Sequence, residues 1–179
     1  MTLDDVDKDI ISRAKKIKWL VLDVDGVLTD GKLYFSNNGD EIKAFNSLDG
    51  HGIKMLQNSG VTVAIITGRT SKIVQNRTHN LGIKHLIQGR EDKLNALEEL
   101  ISAHNVNYEE IAHMGDDYPD LTLIRRVGLG LTAANSHWIV KEYSHWQSQF
   151  NGGEGAVREA CDLIMLAQNT FDQALASYL

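Results

Sequence analysis

The apolar run Ile17-Lys18-Trp19-Leu20-Val21-Leu22 stops on Asp23-Val24-Asp25-Gly26, and this junction constrains the chain more than any other segment. A strand alternates its side chains between faces, so Asp23 and Asp25 project from one side where the strand runs out. Carboxylates so close repel each other and resist desolvation. A cation between them, or chemistry that uses both, resolves the conflict. Gly26 permits a tight turn whose backbone N–H groups can face an anion. The plain alternative is a strand that ends in an acidic turn.

Strand and helix signals alternate along the rest of the 179 residues. Met1–Ala14 reads as a leading helix and Ile17–Val24 as the first strand. Leu33–Phe35 and Ile42–Phe45 flank Asn38-Gly39, a strong hairpin signal. Helices are predicted over Gly52–Asn58, Thr70–Leu81, Glu91–His104, Tyr118–Val127 and Glu154–Gln168, with Gly60 and Gly82 as stops. Strands are predicted over Val61–Ile66, His85–Ile87, Ile111–Met114 and Leu129–Leu131. Such alternation predicts an α/β fold, a three-layer α/β/α Rossmann-like parallel sheet that binds ligands beyond its carboxyl edge. Pro119 is the only proline and no linker composition occurs, so residues 1–179 are expected to form one domain. A net charge of −6 without a Lys/Arg cluster argues against a nucleic-acid partner. Cys161 is alone, which excludes an intrachain disulfide and a thiolate metal site. No run approaches the roughly 18 apolar residues of a membrane span, and Met1–Lys16 lacks the apolar core of a signal peptide. A cytoplasmic protein with no membrane partner is the expectation.

Four polar clusters fall where strands should end. Asp23-x-Asp25 is the first. Thr67-Gly68-Arg69 joins a hydroxyl, a free N–H and a guanidinium before a helix, which suits a phosphate but equally describes an ordinary helix-opening turn. Lys93 lies in the opening turn of a helix, where the dipole disfavours a cation. Gly115-Asp116-Asp117-Tyr118-Pro119-Asp120 offers three carboxylates for a hard cation. Helix capping accounts for one of these aspartates and poorly for three. All four clusters would share one rim of one sheet.

These residues in this order resemble the haloacid dehalogenase superfamily of phosphotransferases, whose four short motifs match Asp23-x-Asp25, Thr67, Lys93 and Gly115-Asp116-Asp117-x-x-Asp120. The resemblance implies that Asp23 is a nucleophile that forms an aspartyl phosphate and that Asp25 is the general acid and base. It further implies Mg²⁺ held by the Asp23 carboxylate, the Asp25 carbonyl and Asp116, with Thr67 and Lys93 completing the catalytic set. Asp117 and Asp120 would hold waters or Lys93. Too few residues separate the first two clusters for a cap domain, so the hairpin about 32–46 is read as a flap. Its apolar Leu33, Tyr34, Phe35, Ile42 and Phe45 are more than a free hairpin should expose.

The run from Asp23 to Gly31, Ala44-Phe45-Asn46, Asp49-Gly50-x-Gly52, Ile65–Arg69 and Gly152-Gly153-Glu154-Gly155-Ala156-Val157-Arg158-Glu159 narrow the match. They are similar to the capless family of 3-deoxy-D-manno-octulosonate 8-phosphate phosphatases of lipopolysaccharide synthesis. That family implies a sugar-acid phosphate substrate and a homotetramer whose flaps and C-terminal tails (here about 150–179) complete neighbouring sites. Its substrate-binding positions would fall on Asp25, Asn46, Ser47, Asp49, Gly50, Lys54, Arg69, Arg77 and Lys93. For Lys54 and Arg77 a solvated helix face is the other reading. Two residues depart from the pattern: Leu48 replaces an expected arginine and Glu154 an expected cation. Both changes should weaken binding of a dianion, and relatives acting on nine-carbon keto-acid 9-phosphates show similar ones. Two other classes fit the motifs: a phospho-accepting signalling domain, and a silent subunit kept for assembly.

Overall fold

Short apolar runs set the frame, because those at the centre of the sheet are buried on both faces and leave their polar residues at one end. A computed structural model describes residues 2–179 and opens with helix α1 (Lys8–Ala14) and strand β1 (Trp19–Leu22). The two-residue strands β2 (Tyr34–Phe35) and β3 (Glu41–Ile42) form a separate hairpin, followed by α2 (Ser47–Asn58). Next come β4 (Thr62–Ile66), α3 (Lys72–Asn80), β5 (His85–Ile87), α4 (Lys93–His104) and β6 (Ile111–Met114). The chain ends with α5 (Leu121–Ile124), β7 (Leu129–Thr132), α6 (Trp138–Tyr143), β8 (Trp146–Gln147), α7 (Ala156–Ala167) and α8 (Phe171–Ala176). Six strands form one parallel sheet in the order β5-β4-β1-β6-β7-β8.

Alternation along each strand divides the core in two. Leu20, Leu22, Val63, Ile65 and Met114 pack towards α1, α2 and α7, whereas Trp19, Val21, Ala64, Ile66 and Ile111 meet Ala96, Leu97 and Leu123 of α4 and α5. Leu22 pairs with both Ile65 and Met114, so the carboxyl ends of β4, β1 and β6 finish nearly level. The strand order reverses at β1, the position at which sheets of this kind open a ligand crevice. No described helix is long and apolar enough to cross a membrane.

The predicted three-layer parallel fold and its hairpin are present, with several differences in detail. Helix α2 begins at Ser47 and not at Gly52, because the Asn46 side chain accepts a hydrogen bond from Leu48 N and caps it early. Met1 of the predicted leading helix lies outside the described residues, and the helix proper starts at Lys8, capped by Asp7. The Tyr118–Val127 segment is a single 3₁₀ turn followed by four-residue α5, since Asp117 caps the turn at Tyr118 N. Helices α6 and α8 and strand β8 are additional. The segment 150–179 is largely integral to the domain: nine residues of α7 are buried, and only Ser177, Tyr178 and Leu179 follow α8.

The loop before α7 packs directly on the turn that follows β1. Gly153 N donates to Val27 O at 3.0 Å, and a Cβ at Gly152 would lie 1.8 Å from Gly26 O. Backbone cannot move aside as a side-chain tip can. Gly39, by contrast, has φ +85° with open space around it, so there only the left-handed conformation opposes a side chain. Gly152→Ala should therefore cost more than Gly39→Ala, about 2–4 kcal/mol against about 1 kcal/mol in denaturant unfolding. Equal costs would contradict this packing.

Candidate active site

Beyond the carboxyl ends of β1, β4 and β6 lies an open cleft of about 730 Å³, lined in part by Asp23, Asp25, Thr67, Arg69, Lys93 and Asp116. Asp23 follows β1 directly and its N–H donates to Met114 O at 3.0 Å, which ties it to the neighbouring strand end. Lys93 is the first residue of α4 and is buried; its Nζ lies 3.0 Å from Asp23 Oδ1 and 2.7 Å from Asp120 Oδ1. Burial would strip that ammonium of its proton, but Asp120 and Asp23 outweigh burial and hold its pKa above the usual lysine value. Two carboxylates thus offset what the helix dipole costs.

Asp116 enters from the loop after β6, and the turn at Gly26 makes room for it. A Cβ at Gly26, whose φ is +87°, would lie 2.0 Å from Asp116 Oδ2. Burial, then the charges of Asp23, Asp120 and Asp117, push the Asp116 carboxyl up to about 7. Burial and Asp120 also raise Asp23, against Lys93 and the Val24 N–H. Asp120 goes the other way: burial raises it, but the His113 hydrogen bond and charge, with Lys93, pull it below the ordinary range. One oxygen from each of Asp23, Asp116 and Asp120 can be chosen so that all lie within 4.8 Å of one another.

Such a set fits a hard divalent cation, since the donors are all oxygen and their mutual repulsion is what a cation would relieve. Asp120 is already committed. Its Oδ1 accepts from Lys93 and faces His113 Nε2 at 2.9 Å, and its Oδ2 accepts from Asp116 N at 3.3 Å. Asp23 and Asp116 are the carboxylates left to hold an ion. Asp25 lies outside this group, and its carboxylate pairs with Lys43, with Arg69 Nε 3.7 Å away.

Two flap residues that sequence reasoning passed over pair with charged residues that line the cleft. The Lys43 side chain is only 2% exposed, and Glu41 accepts from Arg69 Nη2 at 2.9 Å and from Ser71 Oγ at 2.8 Å. Period-two alternation carried the signal: Glu41 and Lys43 share the inward face while Ile42 between them points out. His113 was passed over too, inside a run that reads as core.

The remaining sequence-predicted residues do not line the cleft of their own chain. The Arg77 guanidinium donates to Asn46 O at 3.1 Å and lies over the Phe45 ring, in space that Gly50 leaves open. Asp49 is buried and accepts from Arg158 N at the start of α7 at 2.8 Å; burial raises its pKa. Ser47 opens α2, and Lys54 projects near Thr62 and Gly82, at the amino edge of the sheet.

A parallel sheet with acidic, hydroxyl and lysine groups gathered at its carboxyl edge defines a class, and comparison with known proteins agrees. The model of haloacid dehalogenase-like hydrolases matches residues 85–160. A 3-deoxy-D-manno-octulosonate 8-phosphate phosphatase, KdsC, of Yersinia pestis is 46% identical over 166 residues, 93% of this chain and 89% of the relative. Among solved structures, a probable YrbI family phosphatase of Pseudomonas syringae superposes with a TM-score of 0.95 at 54% identity, over 96% of this chain and 98% of that one. The 3-deoxy-D-manno-octulosonate 8-phosphate phosphatase of Moraxella catarrhalis, in complex with magnesium, phosphate and KDO, gives 0.94 at 43% identity, over 96% and 98%. The chain belongs to the haloacid dehalogenase-like hydrolases and, within them, to the 3-deoxy-D-manno-octulosonate 8-phosphate phosphatase family.

An acid whose folded-state pKa lies above its unfolded value destabilises the fold once ionised, and the penalty disappears when it is protonated in both states. For Asp116 the cost is complete above about 7 and fades as pH falls towards the ordinary aspartate value of about 3.9. Metal-free Asp116→Asn should therefore melt higher than the parent at about pH 8, with the gap narrowing towards about pH 4. A gap that widened on acidification would refute the crowding of these carboxylates.

Proposed function

We propose that the chain is a divalent-metal-dependent phosphomonoester hydrolase acting through an aspartyl phosphate, with 3-deoxy-D-manno-octulosonate 8-phosphate as substrate. One observation carries the reading: a buried lysine bridges Asp23 and Asp120 with Asp116 alongside, in a chain whose relatives share nearly its full length. The Asp23 carboxylate attacks phosphorus as the P–O bond to the sugar breaks, and Asp25 gives its proton to the departing alkoxide. Water then attacks the phosphoryl group, Asp25 takes the proton back, and the bond to Asp23 breaks to release phosphate. Thr67 and the Gly68 N–H orient the transferring group, while Lys93 neutralises charge between nucleophile and phosphate. Mg²⁺, held by the Asp23 carboxylate, the Asp25 carbonyl and Asp116, would supply charge neutralisation and polarise the phosphoryl oxygens.

The substrate carboxylate needs cations, and Arg69 lines the cleft beside Asp25. Asn46, Ser47, Lys54 and Arg77 sit apart from the cleft, a separation that a homotetramer would close by setting these residues against a neighbour's cleft, with the buried Asp49 and Gly50 supporting them from within their own chain. Flap exposure supports assembly: Leu33, Tyr34, Phe35 and Ile42 are all out in solvent, with Phe35 at 59%. Helices α7 and α8 pack on their own chain, so of the two predicted arms the flap, and not the helices of the tail, would reach across. A cytoplasmic setting and a place in lipopolysaccharide synthesis complete the proposal. Leu48, exposed where the family carries a cation, favours as second reading a nine-carbon keto-acid 9-phosphate.

Phosphate release from eight- and nine-carbon acid phosphates tests the function. Turnover should be lost in EDTA, return with Mg²⁺, and fall at least about 10³-fold in Asp23→Asn; unchanged turnover in that variant would reject Asp23 as nucleophile. Faster release from the nine-carbon substrate would select the second reading. For assembly, Phe35→Asp should shift sedimentation from tetramer to smaller species, whereas a monomeric parent would end the tetramer proposal.

A further inference from the structure

His113 stands in the middle of β6 with no exposed surface, between residues that are themselves core. A polar ring inside a sheet costs free energy unless its nitrogens find partners. Both do. Nδ1 lies 3.1 Å from Val21 O on β1, the residue directly paired with His113, and Nε2 lies 2.9 Å from Asp120 Oδ1. The Val21 carbonyl and the Asp120 carboxylate both only accept, so each ring nitrogen donates and the ring is held from both ends, with Nε2 aimed at Asp120.

We infer that His113 is a positioning residue for Lys93, acting through Asp120. The inference rests on the phosphatase reading for its activity arm only. Lysine is a flexible stem with a point charge, and between two carboxylates it settles wherever the firmer partner holds it. Asp120 is that partner. Three donors fix it: His113 and Lys93 on Oδ1 and the Asp116 N–H on Oδ2. Removing the His113 contact leaves Asp120 held only by Lys93 itself and the longer Asp116 N–H bond, so the carboxylate can turn and the Lys93 ammonium, 3.0 Å from Asp23, moves with it. A displacement of about 1 Å at a reacting centre can cost about 10²-fold in rate.

Two near-isosteres separate positioning from packing. Glutamine places an amide close to Nε2 and keeps a donor towards Asp120; asparagine reaches only as far as Nδ1 and keeps the bond to Val21. His113→Gln should retain kcat within about fivefold of the parent, whereas His113→Asn should lose about 10- to 100-fold in kcat with KM within about threefold. Melting temperatures fix the folded fraction of each. Equal losses in the two variants, or parental kcat in folded His113→Asn, would overturn the inference. An arm independent of turnover uses ¹⁵N NMR of the Lys93 ammonium in metal-free protein. A slowly exchanging resonance should be present in the parent and His113→Gln and be broadened or lost in His113→Asn. Its absence from the parent, or its persistence unchanged in His113→Asn, would also overturn the inference. If the parent releases no phosphate, the functional reading fails while the NMR comparison still decides the role of His113.

Discussion

Everything at the carboxyl edge of the sheet depends on one buried ion pair, that of Lys93 with Asp23 and Asp120. Three aspartates brought to one point would oppose folding, because each carboxylate loses water and faces like charge. The ammonium cancels part of that repulsion and Asp120 stays ionised, while Asp23 and Asp116 keep the strain in the form of raised pKa values. The residue that relieves the conflict is therefore the one that leaves two carboxylates primed for a cation. Stability is given up locally so that charge can be accepted later.

The scaffold keeps this arrangement rigid by close backbone packing. Gly26 gives way to Asp116, Gly115 to Asp120, and Gly152 to the Gly26 carbonyl, each at separations no side chain would allow. The loop before α7 is held in turn by α2: Asn46 Nδ2 donates to Gly153 O at 3.3 Å, and Asp49 accepts from Arg158 N. Asn46 and Asp49 thus do structural work inside their own chain whatever else they contact. Opposite them the flap is pinned by Asp25–Lys43 and Glu41–Arg69, so the mouth of the cleft and the proposed proton donor share one charge network.

Much of this was legible in the chain. Buried strands announce themselves as β-branched runs, and the residues just past their ends, Asp23, Thr67 and Asp116, could be read as one rim from topology alone. Lys93 stood out because the helix dipole disfavours it there. Short elements left little trace: α6, α8 and β8 span too few residues for periodicity to rise above noise. The start of α2 moved because a single cap, Asn46, outweighs the glycines that follow. His113 was hidden by its neighbours, since only the fold reveals that Asp120 lies opposite. Whether Asn46, Lys54 and Arg77 face a cleft is a question of assembly, which one chain's pattern cannot encode.

The account stands or falls on where a divalent ion binds. Anomalous diffraction from crystals soaked in Mn²⁺ locates it directly. A single peak about 2.1–2.3 Å from carboxylate oxygens of Asp23 and Asp116, lost in Asp116→Ala while Lys93 remains on Asp120, is the predicted result. A peak elsewhere, or one at this position that survives Asp116→Ala, would contradict it.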